Sequence, residues 1–512
     1  MRSLDLSLYD VCNKGELAEL DGYSIKEDNE KCIQIFSYLV EAFYECERYA
    51  PKYLNLVAIF FPDLMRISTG CVLKQREIEK SHIRNEEKDA YPSLLDYPFC
   101  GYRELLEGTL NVYAKRGFPG LSSTHKIKFL NTIGNIWKRC VCYCGFWPIH
   151  NTWSIQNLKY IFKHLQSINI FPLVPAHAQV YIPRYENQHA IVQHFFEKIT
   201  TQFKIPIQSD EFITLFDLFY SPFIAEREER VPYQVLVTGT LQKRETRILA
   251  AQARSQDIPV ITISHGEGDQ LIVDEPRIGY GEFSYSSFFV GYGKKGVELL
   301  KDAEYAKGLY EPPTFIPANS NICKKIYNAG SRIQRLSDIS HPTYMYVPAT
   351  FIGYKRYGPF HHLPDVIYFK WQKIIRQLFP DVIYKRHPKL VQVDVGFTHL
   401  ETTPFEVCFQ KADVYIFDVI ATAFNIAVAT DKPIIYFDIG IRNIVPSVVP
   451  FLKERCIWVD ARDNKSIDYL RSEIERHRNK VLINNYTEQY CIIDSNEKRE
   501  DTILSAIKNI LK

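Results

Sequence analysis

The sequence predicts an α/β protein: two parallel-sheet units in tandem behind a mostly helical, aromatic N-terminal region. Two alternations of short β-branched runs with amphipathic segments carry this expectation, one over residues 233–305 and one over 344–460. A third observation is composition. At 46% hydrophobic and 24% charged, the 512 residues match ordinary globular chains, and the length suits two or three domains rather than one.

From residue 1 to 230 the pattern is helical, with apolar residues at three and four spacing in Asn29 to Tyr49 and in Ser154 to Ile168. Pro172, Pro175 and Pro183 mark an extended, turn-rich stretch, and HAIVQHFFEKITTQF (189–203) reads as a helix. His177, His189 and His194 read as loop and helix-face residues. At Tyr233 the texture changes. YQVLVTGT is a strand, RETRILAAQARSQ an amphipathic helix and IPVITIS a second strand, together one βαβ unit. A strand over Ser286 to Val290 and a helix over Lys294 to Tyr305 follow. Residues 316–342 are polar and aperiodic, which places the domain boundary near 335.

The second alternation then begins. Strands are expected at Tyr344 to Pro348, Asp381 to Tyr384, Val414 to Phe417, Pro433 to Phe437 and within CIWVD. Helices are expected at Pro364 to Leu378, Thr422 to Thr430, Lys465 to Asn479 and Glu497 to Leu511. The expected division is 1–230, 231–335 and 336–512, with the first region partly integrated into the first α/β unit.

Several function classes are disfavoured. A net charge of +2 gives no global field to collect nucleic acid or anionic membrane, so no nucleic-acid partner is expected. Asp5 and Asp10 break every apolar segment of the opening decapeptide, so the chain reads as cytoplasmic. Its longest apolar stretches, such as Leu54 to Phe61, fall below the roughly 18–20 residues that span a bilayer. Twelve cysteines are too dilute for a disulfide framework. Cys140, Cys142 and Cys144 alternate, unlike the paired knuckles of zinc sites, and no metal is expected there even with His150 nearby.

Three segments sit where open α/β sheets bind ligands, just past the carboxyl ends of strands. In SHGEGDQ (264–270), Gly266 and Gly268 keep the turn thin, so His265 projects as a general base with Glu267 and Asp269 to orient it. In IYKRHPK (383–389), Lys385, Arg386 and Lys389 surround His387, a set suited to clamping a diphosphate. In FDVIATAFN (417–425), a strand ends at Asp418 and a helix begins near Thr422, with Asn425 a turn further on; free N–H groups there favour phosphate. A turn histidine, a solvated basic turn and an ordinary N-cap are the plainer readings of the same three segments. Gly291, Gly293 and Gly296 satisfy the dinucleotide pattern G-x-G-x-x-G, but they lie late in their unit and no acidic strand end follows, so dinucleotide binding is not expected.

In this order the three segments resemble the GT-B transferases of bacterial surface polymers, the CDP-glycerol glycerophosphotransferases and related capsule glycosyltransferases. The resemblance spans residues 233–460. It implies two Rossmann-like domains facing a cleft and a nucleotide-activated donor, with a glycan or lipid-linked acceptor and peripheral membrane association left open. It makes His265, with Glu267, catalytic. Lys385, Arg386, His387, Asp418, Thr422 and Asn425 would hold the donor, with Gly266, Asp269 and Arg356 as secondary contacts. His361 and His362 lie in the same segment as Arg356. The sequence departs from the family's paired serines after the aspartate, where it has Val419 and Ile420, and from the acid on the helix, where it has Asn425. No D-x-D triplet occurs, so no cofactor and no metal-bound diphosphate is expected. A sugar-nucleotide epimerase on the same architecture and a catalytically inactive scaffold are the alternatives.

Overall fold

The computed structural model describes residues 25–49, 61–62, 65, 140–143, 171–173, 182–183, 188–203, 213, 217, 224–225, 235–239, 241, 244–264, 266, 271–272, 278–303, 311–330, 332–349, 365–387 and 395–493. In chain order these form α1 (Ile25–Tyr49), β1 (Cys140–Tyr143), β2 (Phe171–Leu173), β3 (Ile182–Pro183), α2 (Gln188–Phe203), β4 (Ile224–Ala225), β5 (Val235–Thr238), α3 (Arg244–Ser255) and β6 (Val260–Ile263). Then come β7 (Phe288–Tyr292), α4 (Lys294–Asp302), β8 (Thr314–Ala318), α5 (Asn321–Ala329), β9 (Tyr344–Val347), α6 (Asp365–Leu378), β10 (Ile383–Lys385), β11 (His399–Glu401) and α7 (Phe405–Cys408). The last are β12 (Val414–Phe417), α8 (Thr422–Val428), β13 (Ile434–Asp438), α9 (Val449–Arg455), β14 (Ile457–Asp460), α10 (Ile467–Arg476) and α11 (Asn485–Tyr490).

Two six-stranded sheets result, in the orders β2-β1-β5-β6-β7-β8 and β11-β10-β9-β12-β13-β14, and every pairing in them is parallel. β3 and β4 form a separate parallel pair. Parallel sheets are covered on both faces, which is why VLVT, VITI and VYIF are buried at every position rather than alternating. The second sheet has the doubly wound order 3-2-1-4-5-6, whose crevice opens between the carboxyl ends of β9 and β12.

Where elements differ from the sequence expectation, short or edge strands are the reason. The first sheet takes β1 and β2 from ahead of residue 231, each only three or four residues long. β8 and α5 fill the stretch that reads as a polar linker. β8 is an edge strand that carries Pro317, and α5 is only nine residues long and buries only Cys323, so the stretch reads as a linker although α5 is amphipathic. β11 is a three-residue edge strand whose Leu400 is 61% exposed. The run Ser154 to Ile168 and the helix expected at Glu497 to Leu511 lie outside the described residues.

The N-terminal helix α1 packs on α2, where Glu45 meets Lys198 and His194. It also docks on the first unit, its Phe36 lying 6.2 Å from Tyr280. The two units share one apolar cluster, in which Leu271, Tyr292 and Cys323 of the first join Phe417, Phe424 and Tyr486 of the second. An antiparallel bridge pairs Ile272 with Ile444, and Val445 N–H donates to the Leu271 carbonyl at 2.8 Å. Past α11 the chain returns to the first unit. Ser320 N–H donates to the Cys491 carbonyl (2.8 Å), and Ile493 N–H donates to Asn319 Oδ1 (2.9 Å). No helix of the described residues is long and apolar enough to cross a membrane.

Candidate functional site

Asp418 follows β12 directly at the crevice of the second sheet, and it is 2% exposed. Its Oδ2 accepts from Tyr346, from Tyr368 (2.8 Å) and from the Trp371 indole N–H (3.0 Å), while its Oδ1 accepts from Ala349 N–H (3.1 Å). Burial raises the Asp418 pKa, and the four hydrogen bonds oppose that rise. The same burial pushes the Tyr346 and Tyr368 phenols well above their ordinary value, so both remain donors. Both oxygens are thus taken by the protein. Asp418 ties the end of β9, the end of β12 and the middle of α6 together. The sequence signals that would have revealed its partners are weak: one tyrosine in a strand, and an aromatic pair at three-residue spacing in a helix.

Lys385 is the last residue of β10 rather than part of the turn, and it is buried. Burial lowers its pKa, and its ammonium donates to the Arg386 carbonyl (2.7 Å). Arg386 N–H in turn donates to the Glu401 carbonyl on β11 (2.8 Å). Glu401 was not singled out by the sequence. Its side chain accepts from Lys411 and, at 2.7 Å, from Thr403 N–H, which together draw its pKa down to about 2. Arg386 and His387 are half-buried just beyond the strand, so a backbone fixed from beneath presents a guanidinium and an imidazole, both partly exposed, at the sheet edge.

Thr422 opens α8 and is half-buried, whereas Asn425 is 1% exposed. Asn425 Oδ1 accepts from Tyr486 (2.8 Å) and its backbone carbonyl accepts the Cys323 thiol (3.1 Å), so Asn425 joins α8 to α11 and α5 rather than facing the cleft. The far end of α8 is held by buried Arg455, whose guanidinium donates to the carbonyls of Val428 (2.9 Å), Ala427 (3.3 Å), Thr430 (2.9 Å) and Lys432 (3.0 Å).

From the first sheet, the turn after β6 reaches this helix. Ser264 Oγ donates to the Gly266 carbonyl (2.9 Å), which tightens the turn. A Cβ at Gly266 would stand 2.6 Å from Thr422 Oγ1, so the Gly266 backbone lies against the Thr422 side chain, and any larger residue there would have to displace that hydroxyl. The His-Gly turn and the Asp-Thr loop therefore meet across the cleft. His265, Glu267, Asp269 and Arg356 lie outside the described residues, as do Lys389, His150, His177, His361 and His362.

The glycine-rich VGYGKKG serves a different purpose from its pattern. Gly293 has φ +67°, and a Cβ there would run into the Tyr490 backbone. A Cβ at Gly291 would stand 2.9 Å from Val297. These glycines admit the returning tail and seat α4 on its strand, while Lys295 lies 4.3 Å from the centre of the Phe451 ring. Among the described residues no three His, Cys, Asp or Glu side chains converge as metal ligands.

Two parallel doubly wound sheets, their carboxyl edges meeting at Gly266 and Thr422 and their tail crossing back, make up an α/β fold of the GT-B-like kind. The chain has that fold. No family model matches it, and neither does any curated protein. Among solved structures it is similar to the S. aureus MnaA–UDP co-structure, at 12% identity, with a TM-score of 0.35 over 69% of this chain and 92% of that one. It is similar also to a putative UDP-N-acetylglucosamine 2-epimerase from Listeria monocytogenes, at 12% identity, with a TM-score of 0.39 over 73% and 96% of the two chains.

Proposed function

We propose that this chain is a metal-independent glycosyltransferase of the GT-B type, moving a sugar or polyol phosphate from a nucleotide-activated donor to a cell-surface polysaccharide or its precursor. The observation that carries this reading is the approach of Gly266 to Thr422, which puts the residue after His265 against the first turn of the donor-side helix. In the proposed step His265 takes the proton of an acceptor hydroxyl as that oxygen attacks the activated carbon or phosphorus of the donor. The bond to the nucleotide breaks, and the negative charge that leaves with it is met by Arg386, His387 and the Thr422 hydroxyl. Lys385 and Asp418 act from behind. The first fixes the Arg386 backbone through its carbonyl, and the second fixes Ala349 and the start of the loop leading to α8.

The test is nucleotide release from a panel of UDP-, CDP- and GDP-linked sugars and polyols, with and without glycan acceptors, on the wild type and His265→Ala. Release that needs an acceptor and is lost in the variant supports the reading. Acceptor-free conversion of one nucleotide sugar into its epimer would replace it with the isomerase alternative. Nucleotide binding without turnover, unchanged in His265→Ala, would replace it with the scaffold.

A further inference from the structure

Asp418 is a buried carboxyl group held entirely by neutral donors. Two phenols, one indole N–H and one backbone N–H converge on its two oxygens, and among the described residues no cation bonds it. The indole and the backbone N–H can only donate, whereas each phenol can donate or accept. An ionised carboxylate takes all four as donors. A protonated one carries a proton of its own that needs an acceptor, so a phenol must reverse. The Tyr346 and Tyr368 hydroxyls stand 3.3 Å apart, and reversal of either disturbs the other. The network is therefore complete only around the charged form.

The charge holds the crevice together. Asp418 follows β12, and Val419 to Ala421 lead from it to Thr422 at the start of α8. Ala349, which donates to Oδ1, lies two residues past β9 on the opposite lip, and Val347 and Phe417 are register partners at the two strand ends. Trp371 bridges the carboxylate and β13, its ring meeting that of Phe437 edge-on at 5.3 Å. Tyr346, Tyr368 and Trp371 are buried too deeply to touch a ligand, so they act on the crevice through Asp418. Tyr384 on β10 and Tyr436 on β13 feel the same charge without bonding it, with Arg386 acting on Tyr384 and with Asp438 and Arg442 acting on Tyr436.

We propose that Tyr346, Tyr368 and Trp371 are positioning residues of the crevice: through Asp418 they hold Ala349 and the loop to Thr422 in the arrangement that receives a nucleotide, and acid undoes that hold. The proposal rests on the function proposed above in taking this crevice as the nucleotide site. Burial raises the Asp418 pKa and each donor lowers it, so affinity is complete above that pKa and falls as the pH drops through it. Losing a donor moves the fall to higher pH.

The experiment is a calorimetric titration of the full chain with CDP, UDP, GDP and ADP, from pH 8 down to the onset of acid unfolding, on the wild type, Trp371→Phe, Tyr368→Phe and Tyr415→Phe. Phenylalanine keeps a ring and removes the donor. Tyr415 is the control, a buried phenol that donates to the Phe409 carbonyl on the other face of the sheet. His387 and the nucleotide phosphates titrate in the same range but alike in every protein, so the displacement between proteins is the reading. Trp371→Phe and Tyr368→Phe are expected to bind within about threefold of the wild type at pH 8 and to lose affinity about one pH unit or more higher, the order of shift that one hydrogen bond to a charged group produces. Tyr415→Phe is expected to melt lower and to keep the wild-type profile. A profile unmoved in both donor variants, or moved as far in Tyr415→Phe, would overturn the proposal while leaving nucleotide binding in place. Binding weakened by one factor at every pH would overturn it as well, since a merely structural loss has no pH dependence. Should one donor variant not fold, the other decides; unfolding of both would make these donors structural and overturn it. If the wild type takes up none of the four nucleotides, the proposal falls together with the function beneath it.

Discussion

Asp418 shows how a carboxylate at a ligand-binding edge is put to internal use. With four donors converging on it, Asp418→Ala leaves two phenols, an indole and a backbone N–H without their acceptor. Each buried group so stranded costs about 1–3 kcal/mol, so a loss of about 3 kcal/mol or more is expected in urea unfolding. Asp418→Asn keeps one acceptor oxygen and should lose less. Glu401 gives a pH signature with a definite sign. Its folded pKa of about 2 lies below the unfolded value of about 4.3, so its contribution is complete above about pH 4.3 and fades as pH falls toward 2. The stability gap between the wild type and Glu401→Gln should therefore close across that window. A gap independent of pH would contradict the assignment. Because Lys411 is exposed, the gap is modest.

At the scale of elements, the close approach of the β6 turn to α8 is the feature on which the cleft depends. Gly266→Ala forces a methyl against Thr422 Oγ1, and overpacking of this kind costs about 1–3 kcal/mol. Thr422→Ala removes the obstacle. The double variant should then be more stable than the sum of the single effects allows, and strict additivity in thermal unfolding would deny the contact. Elements also show what sequence reading captures. β5, β6 and β12 are buried on both faces and declare themselves as unbroken apolar runs, and α6 and α10 carry clear helical periods. β2 and β11 do not, because three residues are too few for a pattern, and β1, as long as β5, is CVCY rather than an aliphatic run; hydrogen bonds to a neighbouring strand define all three.

For the whole molecule, the tail after β14 does as much as either sheet. Tyr486 and Tyr490 are buried, and α11 packs on α4 of the first unit as well as on α8 and α9 of the second. Truncation after Asn484 should lower the melting temperature and split a single unfolding transition into two. One undivided transition at the wild-type temperature would show that the units cohere without it. The positions of Arg386 and His387 just past a strand, of Thr422 at a helix start and of Gly266 in the turn after β6 were legible in the sequence, because strand ends followed by basic or glycine turns are local features. Asp418 and Asn425 were located but not understood. Their partners Tyr346, Trp371 and Tyr486 lie 72, 47 and 61 residues away, and only the folded sheet brings them together.

The proposed function requires the carboxyl edge of the second sheet to hold a nucleotide through Arg386 and His387. A thermal-shift titration of the full chain with CMP, CDP, UDP, GDP, ADP and NAD, on the wild type and on Arg386→Ala and His387→Ala, tests it most directly, since a ligand of the native state raises the transition by mass action. A pyrimidine or purine diphosphate is expected to stabilise the wild type, and both variants are expected to lose the shift while melting at the wild-type temperature without ligand. Stabilisation by NAD alone, by nothing, or equally in all three proteins would contradict it.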